Sequence, residues 1–183
     1  MPQGLVTSLH PRNGGVRWSV ETGVTGSLPV VIDRDLVIVA GVGLAGLDLA
    51  SGRTLFAERS GAEVTAAPVP LPSSAMLLTA EADGALRCRD RQSGIPIWAL
   101  RTSRPLLAPP LVDRLQRIAY LGTTEKRILQ VKLAHGDVGW RWTVGADVAD
   151  PGLLLRDKLL FASFDAVLYA LHRNGNLAWR ATL

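Results

Sequence analysis

The sequence predicts an all-β chain, a β-propeller of four-stranded antiparallel blades, about four and a half blades long and forming an open or partial ring. Three observations carry this reading. A glycine is followed four residues later by a large aromatic ring in five places: Gly14 and Trp18, Gly52 and Phe56, Gly94 and Trp98, Gly136 and Trp140, Gly175 and Trp179. The rings are 38, 42, 42 and 39 residues apart, the length of a propeller blade. Apolar residues come in short bursts between Gly, Pro, Asp and Asn clusters, the texture of strands and turns. Helical repeats of this period need apolar residues at 3.6 spacing over ten or more positions, and proline and glycine break any such run here.

The elements repeat in a fixed order. A proline opens each full unit, at Pro29, Pro68, Pro109 or Pro110, and Pro151; lacking an N–H, it suits a strand start or edge. The most apolar burst follows, at Leu36 to Ala40, Ala75 to Ala80, Ile118 to Gly122 and Leu159 to Ser163. An alternating segment comes third, at Leu44 to Asp48, Leu86 to Asp90, Ile128 to Lys132 and Leu168 to His172, with Val6 to His10 in the first copy. A tight turn then leads to the aromatic strand, spelled Asn13-Gly14, Ser51-Gly52, Ser93-Gly94, His135-Gly136 and Asn174-Gly175. Glycine, and asparagine before it, accept the positive φ such turns require. Residues 1–183 thus form one propeller segment, with a half blade of two strands at 5–20 and full blades at 27–58, 66–100, 107–143 and 149–182.

The ring column has a physical reason. A four-stranded blade has two apolar faces and buries them only by stacking on its neighbours. A large ring at one place in every blade wedges into the next, and a buried indole N–H needs an acceptor. Phe56 keeps the bulk without the donor. The five rings and five glycines are therefore expected to be structural docking residues, with no catalytic, cofactor-binding or metal-binding residue to set beside them.

Composition narrows the function classes. With 48% apolar residues the chain should fold, and no stretch approaches the roughly 18 to 20 unbroken apolar residues that span a bilayer as a helix. The formal charge of +4 is spread through every segment without a basic run, so a nucleic-acid partner is not expected. The single cysteine, Cys88, excludes an internal disulfide and a multi-cysteine metal site; it shares a column of small residues with Ser8, Gly46 and Ala170 and reads as a packed thiol. His10, His135 and His172 sit apart at turns. Gly41-Val42-Gly43 lacks a following helix and reads as a turn between strands, not a phosphate loop. Glu81, Asp83 and Glu125 occupy comparable inter-strand turns and are expected to be solvated. Met1 to Leu5 lacks the basic start and apolar core of a secretory signal, so either the protein is cytoplasmic or this is not the natural beginning of the gene product.

In motif form the repeat is a small residue, any residue, Asp, two more, Ser or Thr, Gly, three more, then Trp. Gly46 to Gly52 with Phe56, and Cys88 to Gly94 with Trp98, follow it closely; the other copies carry His10, Lys132 and His172 in the Asp column. This resembles the tryptophan-docking repeat of the PQQ-like, quinoprotein-type β-propellers, and is closest in kind to the cofactor-free outer-membrane assembly lipoprotein propellers. The resemblance implies a non-catalytic scaffold for protein–protein interaction in cell-envelope assembly or sensing, an extracytoplasmic setting and no cofactor. The quinoprotein dehydrogenases of the same family imply an alternative, a fragment or degenerate relative of a PQQ-dependent alcohol or sugar dehydrogenase. Those enzymes use a vicinal cysteine pair and a metal site of Glu, Asn and Asp, whereas here one cysteine is present and Asn occurs only at Asn13, Asn174 and Asn176. Partners expected are proteins, with the open ring completed by a second copy or by the remainder of a longer propeller.

Overall fold

The computed structural model describes residues 4–59, 61–71 and 74–183. The stretch inspected above for a leader falls partly outside them, at Met1, Pro2 and Gln3, as do Ser60, Pro72 and Ser73. Among the described residues there are eighteen strands and no helix. β1 (Leu5–Leu9) and β2 (Val16–Glu21) form a two-stranded sheet. Four four-stranded sheets follow: β3 (Val31–Asp33), β4 (Leu36–Gly41), β5 (Gly43–Asp48) and β6 (Thr54–Glu58); β7 (Val69–Leu71), β8 (Met76–Ala80), β9 (Ala85–Asp90) and β10 (Pro96–Arg101); β11 (Leu111–Asp113), β12 (Ile118–Thr123), β13 (Arg127–Lys132) and β14 (Val138–Thr143); β15 (Leu153–Leu155), β16 (Lys158–Ser163), β17 (Val167–His172) and β18 (Leu177–Thr182). Each strand pairs antiparallel with its sequence neighbour, and no sheet closes on itself.

The opening prolines lie one or two residues before the first strand of their sheet, outside the ladders they cannot serve. Gly41 pairs with Gly43 across the β4–β5 turn, and the Val42 N–H donates to the Thr25 carbonyl. That glycine pair is a strand turn. Between the last two strands of every sheet the register shifts by one residue beside the ring-bearing position, as between Gly46 and Leu47 and between Gln130 and Val131. Bulges bend and twist the strand that carries them, so each ring is aimed by the same irregularity.

The core lies between sheets, not within one. One cluster joins Leu71, Leu78, Leu86 and Cys88 of β7–β10 to Ala119, Leu121, Leu129 and Val131 of β11–β14. Another joins Tyr120, Ile128 and Val144 to Leu159, Phe161, Tyr169 and Leu171. A third sets Leu36, Ile38, Ala40 and Leu44 against Val64 and Leu77. Alternation puts one set of side chains on each face, so a central strand such as β12 is buried on both.

Candidate functional site

The strongest recurrent geometry is a seat for an aromatic ring between successive sheets. The seat begins with the turn after the third strand. Asp48 Oδ1 accepts hydrogen bonds from the Ser51 N–H at 2.8 Å and its hydroxyl at 2.5 Å, and Asp90 Oδ1 accepts them from Ser93 at 2.8 and 2.7 Å. The hydroxyl bond is the largest influence holding each carboxyl below its ordinary value, with the backbone N–H second. The glycine N–H then returns to the Asp-column carbonyl, Gly52 to Asp48 and Gly94 to Asp90. In the copies without Asp a backbone bond still closes the turn, Gly136 to Lys132 over four residues and Gly175 to His172 over three.

The glycine is the floor of the seat. A methyl group at Gly136 would fall 2.6 Å from Trp98 Cε3, and the residue holds φ near +80°, so both space and backbone exclude a side chain there. Gly52 faces Trp18, Gly94 faces Phe56 and Gly175 faces Trp140 in the same way, at 2.6, 2.6 and 2.9 Å. On its other side the ring lies over the small-residue column of its own sheet. Ser8 is opposite Trp18, Gly46 opposite Phe56, and Cys88 opposite Trp98. Burial pushes the Cys88 thiol up to about 11, the behaviour of a packed sulfur and not a nucleophile.

An acceptor completes the seat. Trp18 Nε1 donates to the Leu49 carbonyl at 3.1 Å, Trp98 Nε1 to Leu133 at 3.0 Å and Trp140 Nε1 to Arg173 at 3.0 Å. In each case the acceptor is the residue after the Asp column in the following sheet. Gln130 departs from the small column, and the sequence motif gave no sign of its role. Its Nε2 donates to the same Arg173 carbonyl at 3.1 Å, while the missing side chain of Gly139 makes room for its Oε1. Trp142, outside the column, packs partly buried on the second core cluster, and its indole N–H has no acceptor among the described residues.

A second inter-sheet column runs alongside. Asp33, the last residue of β3, faces Arg91 at 3.3 Å, and Asp113, the last of β11, faces Arg173 at 2.6 Å. At the interface between them the same two places hold Leu71 and Leu133, both in one apolar cluster. Charge and oil thus occupy one geometric position, alternating from interface to interface. Sequence reading missed this column because its two members are about 60 residues apart (33 to 91, and 113 to 173).

The turn carboxylates require a correction. Glu81 is fully buried, not solvated. It pairs with Arg87 and with Arg89, the latter at 3.0 Å, and Arg89 reaches Glu58 of the preceding sheet at 2.6 Å. Asp83 holds Arg87 at 2.7 Å and Arg101 at 3.0 Å, and Glu125 accepts from the Ser103 N–H. Desolvating a carboxylate is tolerable only when cations and hydrogen bonds replace the water, and two arginines on β9 do so here. His172 stands 3.7 Å from Asp157, and His10 and His135 are exposed at their turns. Among the described residues no three His, Cys, Asp or Glu side chains come together as metal ligands would. Asn13 and Asn174 use their side-chain oxygens on the local N–H groups of Gly15 and Asn176.

The family of outer membrane protein assembly factor BamB matches the chain over residues 2–183. The chain belongs to that family. Among solved structures, BamB from Moraxella catarrhalis superposes with a TM-score of 0.82 at 23% identity, covering 98% of this chain and 59% of that one. The Saccharomyces cerevisiae protein Sqt1 gives a TM-score of 0.77 at 11% identity, covering 99% and 57%. A computationally designed protein, Ika8, gives 0.75 at 13% identity, covering 94% and 54%. At such identities these likenesses show the propeller fold alone, and the chain spans little more than half of each of these proteins. No curated protein matches the sequence itself. Within the BamB family the chain is thus a stack of propeller blades, and among its described residues no helix is long and apolar enough to cross a membrane.

Proposed function

We propose that this chain is a non-catalytic propeller scaffold that binds proteins during cell-envelope assembly, in an extracytoplasmic setting. The observation that carries the reading is the BamB-family match over residues 2–183. What the residues do supports it: Glu58–Arg89 and Asp113–Arg173 are ion pairs that tie neighbouring sheets together. A rigid stack of this kind presents its turns and rims as a binding surface. The five blade units at 5–20, 27–58, 66–100, 107–143 and 149–182 are proposed as its building blocks. Trp18, Phe56, Trp98, Trp140 and Trp179, with Gly14, Gly52, Gly94, Gly136 and Gly175, are proposed as the docking residues that stack them.

The test is calorimetric titration of the purified chain with soluble domains of an outer-membrane β-barrel assembly machinery, and separately with pyrroloquinoline quinone plus calcium. Saturable binding to the protein and none to the quinone is the expected result. Micromolar quinone binding, or dye-linked alcohol oxidation by the chain, would put the dehydrogenase reading in its place.

A further inference from the structure

The turns at the two ends of the strands carry opposite charge. Those that follow odd-numbered strands lie at one end, where the Asp33–Arg91 and Asp113–Arg173 pairs join turns of different sheets. They hold eight arginines and no lysine against three aspartates. The turns and linkers that follow even-numbered strands lie at the opposite end, where the Val148 N–H reaches the Thr123 carbonyl. They hold three cations against seven carboxylates.

One turn of the arginine end stands out. β3–β4 and β15–β16 are joined by two residues, whereas β11–β12 is joined by four, Arg114-Leu115-Gln116-Arg117. Its sheet is an interior one, packed on both faces. Leu115 is 93% exposed, more than any other large apolar side chain among the described residues. Arg114 and Arg117 flank it, both exposed and neither in an ion pair among the described residues. The turn is nevertheless fixed at both ends. Asp113 Oδ1 accepts hydrogen bonds from the Leu115 and Gln116 N–H groups at 3.1 and 3.2 Å, and that carboxylate is buried against Arg173. The Leu133 N–H donates to the Arg117 carbonyl at 3.1 Å. Arg117 holds φ near +57°, a conformation that glycine or asparagine takes more easily, so turn geometry does not account for an arginine there. The two arginines also line a narrow cleft with Leu71, Met76, Val112 and Leu133. A lone exposed leucine means little, but this one is held in place between two unpaired guanidinium groups.

We propose that the Arg114 to Arg117 turn is a docking point for an acidic protein segment, its carboxylates taken by Arg114 and Arg117 and an apolar side chain of the segment covering Leu115. The inference rests on the protein-binding scaffold reading proposed above and names a surface and a partner chemistry for it. A guanidinium presents the planar fork that matches a carboxylate with two hydrogen bonds, and a turn already fixed loses little freedom on binding. A lipid surface fits less well. Its headgroups attract lysine as readily as arginine, and one leucine supplies little of the apolar area that holds a protein to a bilayer.

Fluorescence anisotropy of the full chain with a labelled synthetic peptide of three Glu-Glu-Leu-Glu repeats tests it. The wild type should bind saturably below about 1 mM peptide, and at least tenfold more weakly when sodium chloride rises from about 0.05 to 0.5 M. Arg114→Gln with Arg117→Gln should weaken binding about tenfold or more, and Leu115→Ser about fivefold. All three side chains are exposed, so these variants should keep the wild-type denaturation midpoint. Arg17→Gln with Arg141→Gln removes the same charge from the exposed faces of the edge strands β2 and β14 and should change binding less than about twofold. No saturation, equal losses in the two arginine pairs, or full binding by Leu115→Ser would each overturn the proposal. Leu115-dependent sedimentation with phosphatidylglycerol vesicles, in place of peptide binding, would overturn it by assigning the turn to a membrane surface. If the soluble assembly-machinery domains bind while the peptide does not, the scaffold reading stands and this inference alone fails; peptide binding lost in the Arg114 and Arg117 variant, with no response to those domains, keeps the docking point and removes the envelope-assembly role.

Discussion

β12 and β16 hold the same place in successive sheets and are made of the same kind of residues, yet they are buried differently. In β12 five consecutive residues from Ala119 to Thr123 are buried, whereas in β16 Lys158, Leu160 and Ala162 are half-exposed and only Leu159, Phe161 and Ser163 are buried. The apolar content of the two strands does not explain this. Among the described residues β12 has a sheet on each side, and β16 has one on the side of Leu159 and Phe161. Burial in a stacked fold is a property of the interface, and the end of a stack shows what every interior sheet would expose without its neighbour.

The largest test of that contrast compares the same residue at an interior and a terminal seat. Trp98→Ala should destabilise by about 3 to 5 kcal/mol, the range for emptying a large aromatic site, while Trp179→Ala should cost less than about 1 kcal/mol in the monomer. Equal urea midpoints for the two variants would remove the contrast between interior and terminal seats. Next in size is the buried ion-pair network. Glu81→Gln leaves Arg87 and Arg89 without their buried counter-ion and should cost about 3 kcal/mol, whereas Asp157→Asn, at an exposed turn of the terminal sheet, should change little. A wild-type midpoint for Glu81→Gln would show that water replaces the carboxylate, and that the interior is less closed than β12 indicates.

Smaller still is the indole bond. Trp98→Phe removes the donor to the Leu133 carbonyl and should cost about 1 kcal/mol, but Trp142→Phe removes a donor that has no acceptor and should be neutral or slightly stabilising. Matching losses in the two variants would mean that ring size, not the bond, sets the cost. The smallest effect is acid sensitivity at the turns. Asp48 and Asp90 have folded pKa values below the ordinary 3.8, so the support they give is present above that value and lost as the pH falls below it. Amide exchange at Gly52 and Gly94 should therefore quicken below about pH 4 relative to Gly136, whose turn has Lys132 in place of Asp. Equal acceleration at Gly136 would assign the change to global unfolding.

By itself the sequence determined the strand order, the turns and the ring column. Those depend on local chemistry that recurs at a fixed period: a proline that cannot donate, a glycine that accepts positive φ, a ring four residues on. It also marked Cys88 as a packing residue, since Gly46 and Ala170 share its column. Only the tertiary structure decided which carbonyl receives each indole, because Trp98 and Leu133 belong to different repeats. It likewise decided that Glu81 is buried between two arginines, where turn chemistry alone reads as solvated, and that Gln130 replaces a small residue by sharing the Arg173 carbonyl with Trp140. The Asp33–Arg91, Leu71–Leu133 and Asp113–Arg173 alternation is of the same kind. Each is a contact between repeats, and a periodic sequence specifies what every repeat carries without specifying which of its neighbours' atoms it meets.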